Sequence, residues 1–354
     1  MKIAFIGGGT MGSVSPLIAT AQYLIKEKKI TNADFIWIGS YGGPERKVIT
    51  ELHWSYQPLH SGKWRRYFSW QNFTDLIKVL IGFFQSLIII IREHPTVMVT
   101  AGSFLAIPFY LAAKLTGVKV IIHQLDLPVG LANRIMAHGA CAITVSWPEL
   151  VSAFSRAIEY IGTPIRDSIL RVKSSPLQQQ LVTEINNRPV ILITGGGTGA
   201  DQLNNFIDQI IDQLTNQYFV IHLTGVNKIG SRINKKGCYY VNEFFDEEQM
   251  GFVLQRADLI VSRAGIGALS EMLALGKKVL IIPIADSHQE KNAQYFRERQ
   301  LVDVIYSSEL TKELFLSTVS SSLLQHDLVQ QQGRELVRPD TAAAKLGNKI
   351  IKYG

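Results

Sequence analysis

Two short apolar runs break into almost the same glycine-rich loop, and this pair narrows the fold of the 354-residue chain more than anything else in it. Ile3-Ala4-Phe5-Ile6 leads into Gly7-Gly8-Gly9-Thr10-Met11-Gly12, and Val190-Ile191-Leu192-Ile193-Thr194 leads into Gly195-Gly196-Gly197-Thr198-Gly199. Each run is too short and too β-branched for a helix, and reads as a buried parallel strand turning into a helix N-terminus. Glycine suits such a turn because it takes positive φ, and because a missing Cβ lets a phosphate or sugar approach backbone N–H groups. Two turns of this kind, 188 positions apart and each opening its half of the chain, predict two domains facing a cleft.

Further strand-like runs recur with helical stretches between them: 35–38, 97–100, 118–122, 142–145 and 158–161, then 219–223, 239–241, 259–262 and 279–282. This alternation is the pattern of an α/β protein with doubly wound, Rossmann-like parallel sheets covered on both faces. The first strand series stops at Gly162-Thr163-Pro164-Ile165-Arg166, so the reading is one domain over 1–165 and a second over 166–339. A final helix over 340–354, starting after Pro339 with a capping residue, is expected to pack back on the first domain.

Hydrophobic residues make up 47% and charged residues 18%, which fits a folded chain with two sizeable cores. Met1–Ile6 carries no signal-peptide core, so a cytoplasmic location is expected. Cys141 and Cys238 have no paired spacing, which speaks against a disulfide framework or a thiolate metal site. The net charge of +7 is uneven: 15 Lys/Arg face 9 Asp/Glu in residues 1–165, against 21 and 20 in the remainder. A cationic first half suits an anionic membrane or substrate; nucleic acid is the weakest option, since only Lys63-Trp64-Arg65-Arg66-Tyr67 interleaves basic and aromatic residues. The apolar stretch Val79–Ile91 is too short to span a bilayer. It reads as a helix buried on the sheet, or as one exposing Leu80, Phe83, Phe84 and Leu87 to a membrane interface beside Lys63, Arg65 and Arg66.

The loops carry the chemistry. No acidic residue follows the second strand where a dinucleotide ribose would need one, because 35–38 ends in Gly39-Ser40. Asp258–Ser262 runs into Arg263-Ala264-Gly265-Ile266-Gly267-Ala268-Leu269-Ser270-Glu271, again strand, glycine turn and helix start. Glu271 is either a carboxylate favoured by the helix dipole or an acceptor for two ribose hydroxyls. Gln289 and Asn292 lie one helical turn apart, either as part of a plain helix start or as amides facing sugar hydroxyls. Together these features favour a sugar nucleotide.

The chain resembles the MurG family of GT-B glycosyltransferases, family 28, over nearly its whole length. The resemblance rests on Gly7–Pro16, Ser61–Phe68, Gly102–Pro108, His123–Arg134, Gly162–Arg166, Gly195–Ala200, Ser262–Glu271 and His288–Ala293, in that order. It implies transfer of N-acetylglucosamine from its UDP donor to lipid I (undecaprenyl-pyrophosphoryl-N-acetylmuramyl-pentapeptide), giving lipid II for peptidoglycan, with no cofactor and no metal. On the donor side it implies Arg166 and the Gly197, Thr198, Gly199 loop at the diphosphate and the backbone near Phe245 at uracil. Ala264, Gly265, Gly267, Leu269 and Ser270 are counted with the donor, Glu271 falls at the ribose, and Gln289 and Asn292 at the sugar. Gly9, Gly102, Ser103, Phe104 and Asn133 fall to the acceptor, while Thr10, Gly12 and Asp126 are counted with the donor and also line the acceptor pyrophosphate and sugar. The implied location is the cytoplasmic face of the cell membrane, held peripherally on an anionic surface.

An inverting displacement needs a general base for the acceptor hydroxyl and fixed donors for the developing diphosphate charge. Where the family's first loop usually reads Gly-Thr-Gly-Gly-His, this chain has Gly9-Thr10-Met11-Gly12-Ser13. Serine is no base near neutral pH unless another group takes its proton. The family's glutamate after His123 is Gln124, and a loop glycine is Ser103, so the altered side is the acceptor side. Asp126 is the leading candidate base, with a loop-capping role as the alternative; His123 and His288 are also candidates. The altered loops leave room for another polyprenyl or glycolipid acceptor, or for an inactive UDP-sugar-binding scaffold.

Overall fold

The computed structural model describes residues 1–354 apart from 29, 63–69, 156, 172–175, 186, 197–199 and 325–327, and apart from the side chains of 70–74, 176 and 328–330. The chain forms two compact units: Met1–Arg166 together with Arg338–Gly354, and Asp167–Val337.

Unit 1 contains β1 (Ile3–Ile6), β2 (Phe35–Gly39), β3 (Ser55–Pro58), β4 (Val97–Thr100), β5 (Lys119–Gln124), β6 (Ala142–Val145) and β7 (Glu159–Tyr160). They form one sheet in the order β3-β2-β1-β4-β5-β6-β7, parallel throughout. Unit 2 contains β8 (Val190–Thr194), β9 (Phe219–Leu223), β10 (Tyr239–Asn242), β11 (Leu259–Ser262), β12 (Lys278–Ile281) and β13 (Asp303–Val304). Its parallel sheet runs β10-β9-β8-β11-β12-β13. The inner strands are buried along their whole length because helices cover both faces, which is why they read as unbroken apolar runs.

Strand order reverses between β1 and β4 in unit 1, and between β8 and β11 in unit 2. In open parallel sheets, ligands bind beyond the carboxyl ends of strands at such a reversal. Ile6, Ile38 and Thr100 end in one register row, as do Thr194 and Ser262. Both glycine-rich loops therefore leave their sheets at a reversal point.

Two local expectations are corrected, and two edge strands join the sheets unannounced. The strand read at 118–122 starts and ends later, at Lys119–Gln124, which carries His123 and Gln124 into the sheet interior. Edge strands β3 and β13 were not read from the sequence: β3 is Ser-Tyr-Gln-Pro, with proline tolerated because an edge strand has one unpaired side, and β13 is only two residues within the run Leu301–Tyr306. The last helix starts at Pro339 itself, with Arg338 as N-cap in the left-handed region (φ 54°) and no side-chain cap. That helix lies against Ser15–Lys28, where Gly347 permits the approach: a Cβ there would stand 2.9 Å from the Tyr23 ring.

The apolar segment lies in one 24-residue helix, Trp70–Glu93. Ile89 and Ile90 are buried in the core and Phe83 and Leu87 pack against it, so the expected exposure of Phe83 and Leu87 does not hold. Leu80 and Phe84 are exposed, joined by Leu76, Ile77, Ile81, Ile88 and Ile91 in a stripe at helical spacing. The basic cluster Lys63, Arg65 and Arg66 lies outside the described residues.

Candidate functional site

In unit 1 the first loop is tied to its neighbours before it reaches the residues read as functional. The Gly7 N–H donates to the Ile38 carbonyl (3.2 Å), and the Trp37 indole donates to the Gly7 carbonyl (2.9 Å). The Gly9 N–H donates to Glu45 Oε2 (3.1 Å), a carboxylate with no solvent exposure. Gly9 then takes φ +82°, the left-handed turn for which glycine is suited. The bond to Glu45 engages the Gly9 N–H within the fold. The N–H groups of Thr10, Met11, Gly12 and Ser13 meet no acceptor among the described residues, ahead of the helix that starts at Ser15. Successive free amides before a helix make an anion-binding concavity. The Ser13 hydroxyl has no hydrogen-bond partner among the described residues, so nothing there takes its proton.

The loop after β4 forms the other side of this reversal point. Gly102 (φ +93°) donates its N–H to Thr100 Oγ1 (3.2 Å), and a Cβ on it would stand 2.9 Å from Asn133 Nδ2. Asn133 is 3% exposed and donates to Gln124 Oε1 (2.6 Å), while Gln124 Nε2 donates to the Asp126 carbonyl (2.6 Å). One amide thus braces both the Asp126 loop and Asn133, whose Oδ1 is buried without a partner. Asp126 itself is half-buried. Ser103 Oγ accepts from the Leu105 N–H (3.2 Å), and the Phe104 carbonyl accepts from Ser61 Oγ (2.7 Å). His123 does not belong to this group. It is fully buried, its ring nitrogens engage Thr144 Oγ1 (2.9 Å) and Ser146 Oγ (3.0 Å), and burial pushes its pKa down to about 3. Held neutral and away from solvent, it is withdrawn as a candidate base.

In unit 2, Gly196 takes φ +81° and donates to Thr194 Oγ1 (3.2 Å), the arrangement seen at Thr100 and Gly102. Gly197, Thr198 and Gly199 lie outside the described residues. Across the reversal, Gly265 caps the helix Ile266–Ala274, and no atom lies near where its Cβ would be. Ala264, Gly267 and Leu269 are buried, and the Ser270 hydroxyl bonds back to the Ile266 carbonyl (2.8 Å). Glu271, two turns into the helix, is 6% exposed, so its carboxylate is not a solvated surface group. Asn292, also buried, donates Nδ2 to the Ala264 carbonyl (3.2 Å) and so ties the helix His288–Glu298 to the same turn. Gln289 is half-buried, its Oε1 accepting from the Ile284 N–H (3.3 Å) and its Nε2 meeting no partner among the described residues. His288, at the first position of that helix, is exposed. Phe245 is buried and stacks on Tyr240, just before the capping box that starts Glu247–Arg256. Arg166, the last residue of unit 1 before the chain enters unit 2, is 8% exposed.

Two groups had no role assigned from the sequence. Glu45 acts on Gly9, 36 residues away, and no local pattern marks it. Arg263 follows β11 directly, is 6% exposed, and donates Nη1 to the carbonyls of Ile282 (2.9 Å) and Pro283 (3.2 Å). Its Nε and the neighbouring Ser262 Oγ are buried without partners, and burial lowers the guanidinium pKa. An arginine directly after the apolar run Leu259–Ser262 is the one signal that the sequence carried. Among the described residues no group of three or more His, Cys, Asp or Glu side chains converges as a metal site would require.

Residues 3–145 match the glycosyltransferase family 28 N-terminal domain, and residues 190–345 match the family 28 C-terminal domain. A Clostridium kluyveri protein named UDP-N-acetylglucosamine--N-acetylmuramyl-(pentapeptide) pyrophosphoryl-undecaprenol N-acetylglucosamine transferase is 32% identical over 358 residues, covering 99% of each chain. A relative of the same name from Shouchella clausii is 35% identical over 318 residues, 88% of each. The crystal structure of Acinetobacter baumannii MurG has the same fold, with a TM-score of 0.69 at 21% identity over 99% of each chain. With both domains matched in order and full-length relatives above 30% identity, the chain belongs to glycosyltransferase family 28.

Proposed function

We propose that this protein transfers N-acetylglucosamine from UDP-N-acetylglucosamine to lipid I, inverting the anomeric carbon and giving lipid II. The observation that carries this reading is the full-length correspondence with relatives bearing that name. In the reaction the acceptor hydroxyl oxygen attacks the anomeric carbon, the bond from that carbon to the diphosphate oxygen breaks, and UDP leaves with the electron pair. Asp126 takes the hydroxyl proton, its loop braced by Gln124. The diphosphate charge that develops is met by Arg166, by the Gly197–Gly199 loop and by the Arg263 edge of unit 2. Glu271 accepts from the ribose hydroxyls, the backbone at Phe245 meets uracil, and Gln289 with Asn292 holds the sugar. On the acceptor side, the free amides of Thr10 to Ser13 take the lipid pyrophosphate, with Gly102, Ser103, Phe104 and Asn133 beside them.

The apolar stripe on Trp70–Glu93, with the cationic excess of residues 1–165, supports peripheral attachment to an anionic membrane on its cytoplasmic face. No helix among the described residues is long and apolar enough to cross a membrane. Flotation with phosphatidylglycerol liposomes at low salt tests the attachment, and protein that stays at the bottom of the gradient contradicts it.

The decisive assay incubates the purified protein with labelled UDP-N-acetylglucosamine and lipid I, with and without EDTA. Labelled lipid II in both tubes is expected. The unpartnered Ser13 hydroxyl favours a second reading, an inactive scaffold that binds UDP-sugar, for which donor binding without product is the signature. Product from a different polyprenyl or glycolipid acceptor but none from lipid I would change the acceptor and keep the donor.

A further inference from the structure

Among the described residues, Glu45 is a buried carboxylate with neutral partners only. Oε2 accepts from the Gly9 N–H (3.1 Å), and Oε1 accepts from the Ser40 N–H (2.7 Å) and from Ser40 Oγ (2.6 Å); the Tyr56 hydroxyl stands 3.3 Å from Oε1 and donates more closely to the Ser40 carbonyl (2.5 Å). No lysine or arginine pairs with it among the described residues, although an ionised group without exposure is costly to hold in place. The surroundings are shaped around it. A Cβ at Gly8 would overlap Oε1, one at Gly43 would overlap Oε2, and one at Gly39 would overlap the Tyr56 hydroxyl. Three positions without side chains therefore enclose a single carboxylate and the tyrosine beside it.

The geometry points to Glu45 as a positioning residue for the acceptor-side loop. By binding the Gly9 N–H it sets the left-handed turn at Gly9 and leaves the amides of Thr10 to Ser13 as the set offered to the acceptor's pyrophosphate. A carboxylate is suited to this place because the Gly9 N–H, the Ser40 N–H and the Ser40 hydroxyl all donate to it. Glutamine in either orientation would turn an NH₂ against the Gly9 amide or against the Ser40 donors. Glu45 touches no substrate and acts through the loop. This inference rests on the proposed transfer for its kinetic consequence, but not for its structural one.

The test is Glu45→Gln in the full-length protein, with two readouts. Amide exchange in the peptide covering the first glycine loop should speed up by about tenfold or more. The KM for lipid I should rise about tenfold while the Kd for UDP stays within about twofold, since Glu45 belongs to unit 1. A general loss of packing would instead scale down the active fraction and leave both constants alone. If Glu45→Gln does not fold, Gly43→Ala is the second route: its added methyl is aimed at Oε2 from a half-buried loop position without positive φ, and the same two changes are expected. Unchanged exchange with an unchanged acceptor KM overturns the role, as does a matching loss of UDP affinity. If the wild-type protein makes no lipid II, the transfer reading fails, and the exchange result alone still decides whether Glu45 holds the loop.

Discussion

The two glycine-rich loops share a sequence pattern and a position at a sheet reversal, yet they are held in different ways. In unit 2 the support found among the described residues is local, with Thr194 at the strand end accepting the Gly196 N–H two residues on. In unit 1 the strand ends in Ile6, which has no hydroxyl, and the same turn is held by Trp37 and Glu45, 30 and 36 residues away. Similar loops can therefore differ in what disturbs them. The second depends on its own strand, the first on a neighbouring strand and helix.

The sharpest way to break this comparison is at the chemistry. Asp126→Asn should lower kcat by about 10²–10⁴-fold and leave the Kd for UDP within about twofold, because the proposed proton acceptor lies in unit 1 and the proposed nucleotide contacts, Arg166 apart, lie in unit 2. Calorimetric titration with UDP alongside the transfer assay checks both, and full turnover would remove Asp126 from the mechanism. Acidification comes next. His123 in unit 1 and His222 in unit 2 are neutral and buried, with pKa values pushed down from 6.5 to about 3 and about 4, mainly by desolvation. The unfolded chain takes up these protons first, so stability is full above about pH 6.5 and declines as pH falls toward 4 for His222 and toward 3 for His123. The loss is on the order of a few kcal/mol for each. Urea midpoints at pH 7.5 and 4.5 should differ accordingly, and equal midpoints would count against neutral buried histidines.

Smaller effects sharpen the comparison within unit 2. Glu271→Ala should weaken UDP binding about tenfold to a hundredfold, the loss of a charged hydrogen-bond acceptor worth about 1.5–3 kcal/mol. Thr194→Val should cost about 1 kcal/mol and loosen only the second loop, as read by exchange at Gly196. Equal loosening of the first loop in that variant would mean that the two supports are not separate.

The fold was legible because its signals are local. Buried parallel strands appear as unbroken apolar runs, and positive φ at Gly9 and Gly196 follows from tight turns at strand ends. The edge strand β3 was not legible, since a polar strand half open to solvent looks like a loop, and β13 is only two residues long. The apolar helix was found, but the division of its faces was not: Phe83 turns to the core and Ile88 to solvent, which depends on how that helix sits on Ala106–Thr116. At the site, Glu271, Gly265 and Asn292 were marked by a strand–turn–helix pattern. Glu45 reads in sequence as an acidic residue at a helix start and nothing more.

From the chain alone came two α/β halves, the glycines at their turns and the family pattern of the loops, because strand periodicity and backbone permissiveness belong to short stretches of residues. Tertiary structure decided the order of the strands, and with it where each sheet reverses. It also decided that His123 is sealed in the sheet and that the Gly9 amide belongs to Glu45. Those outcomes depend on pairings between residues far apart in sequence, where burial and hydrogen-bond partners are settled only when the layers pack.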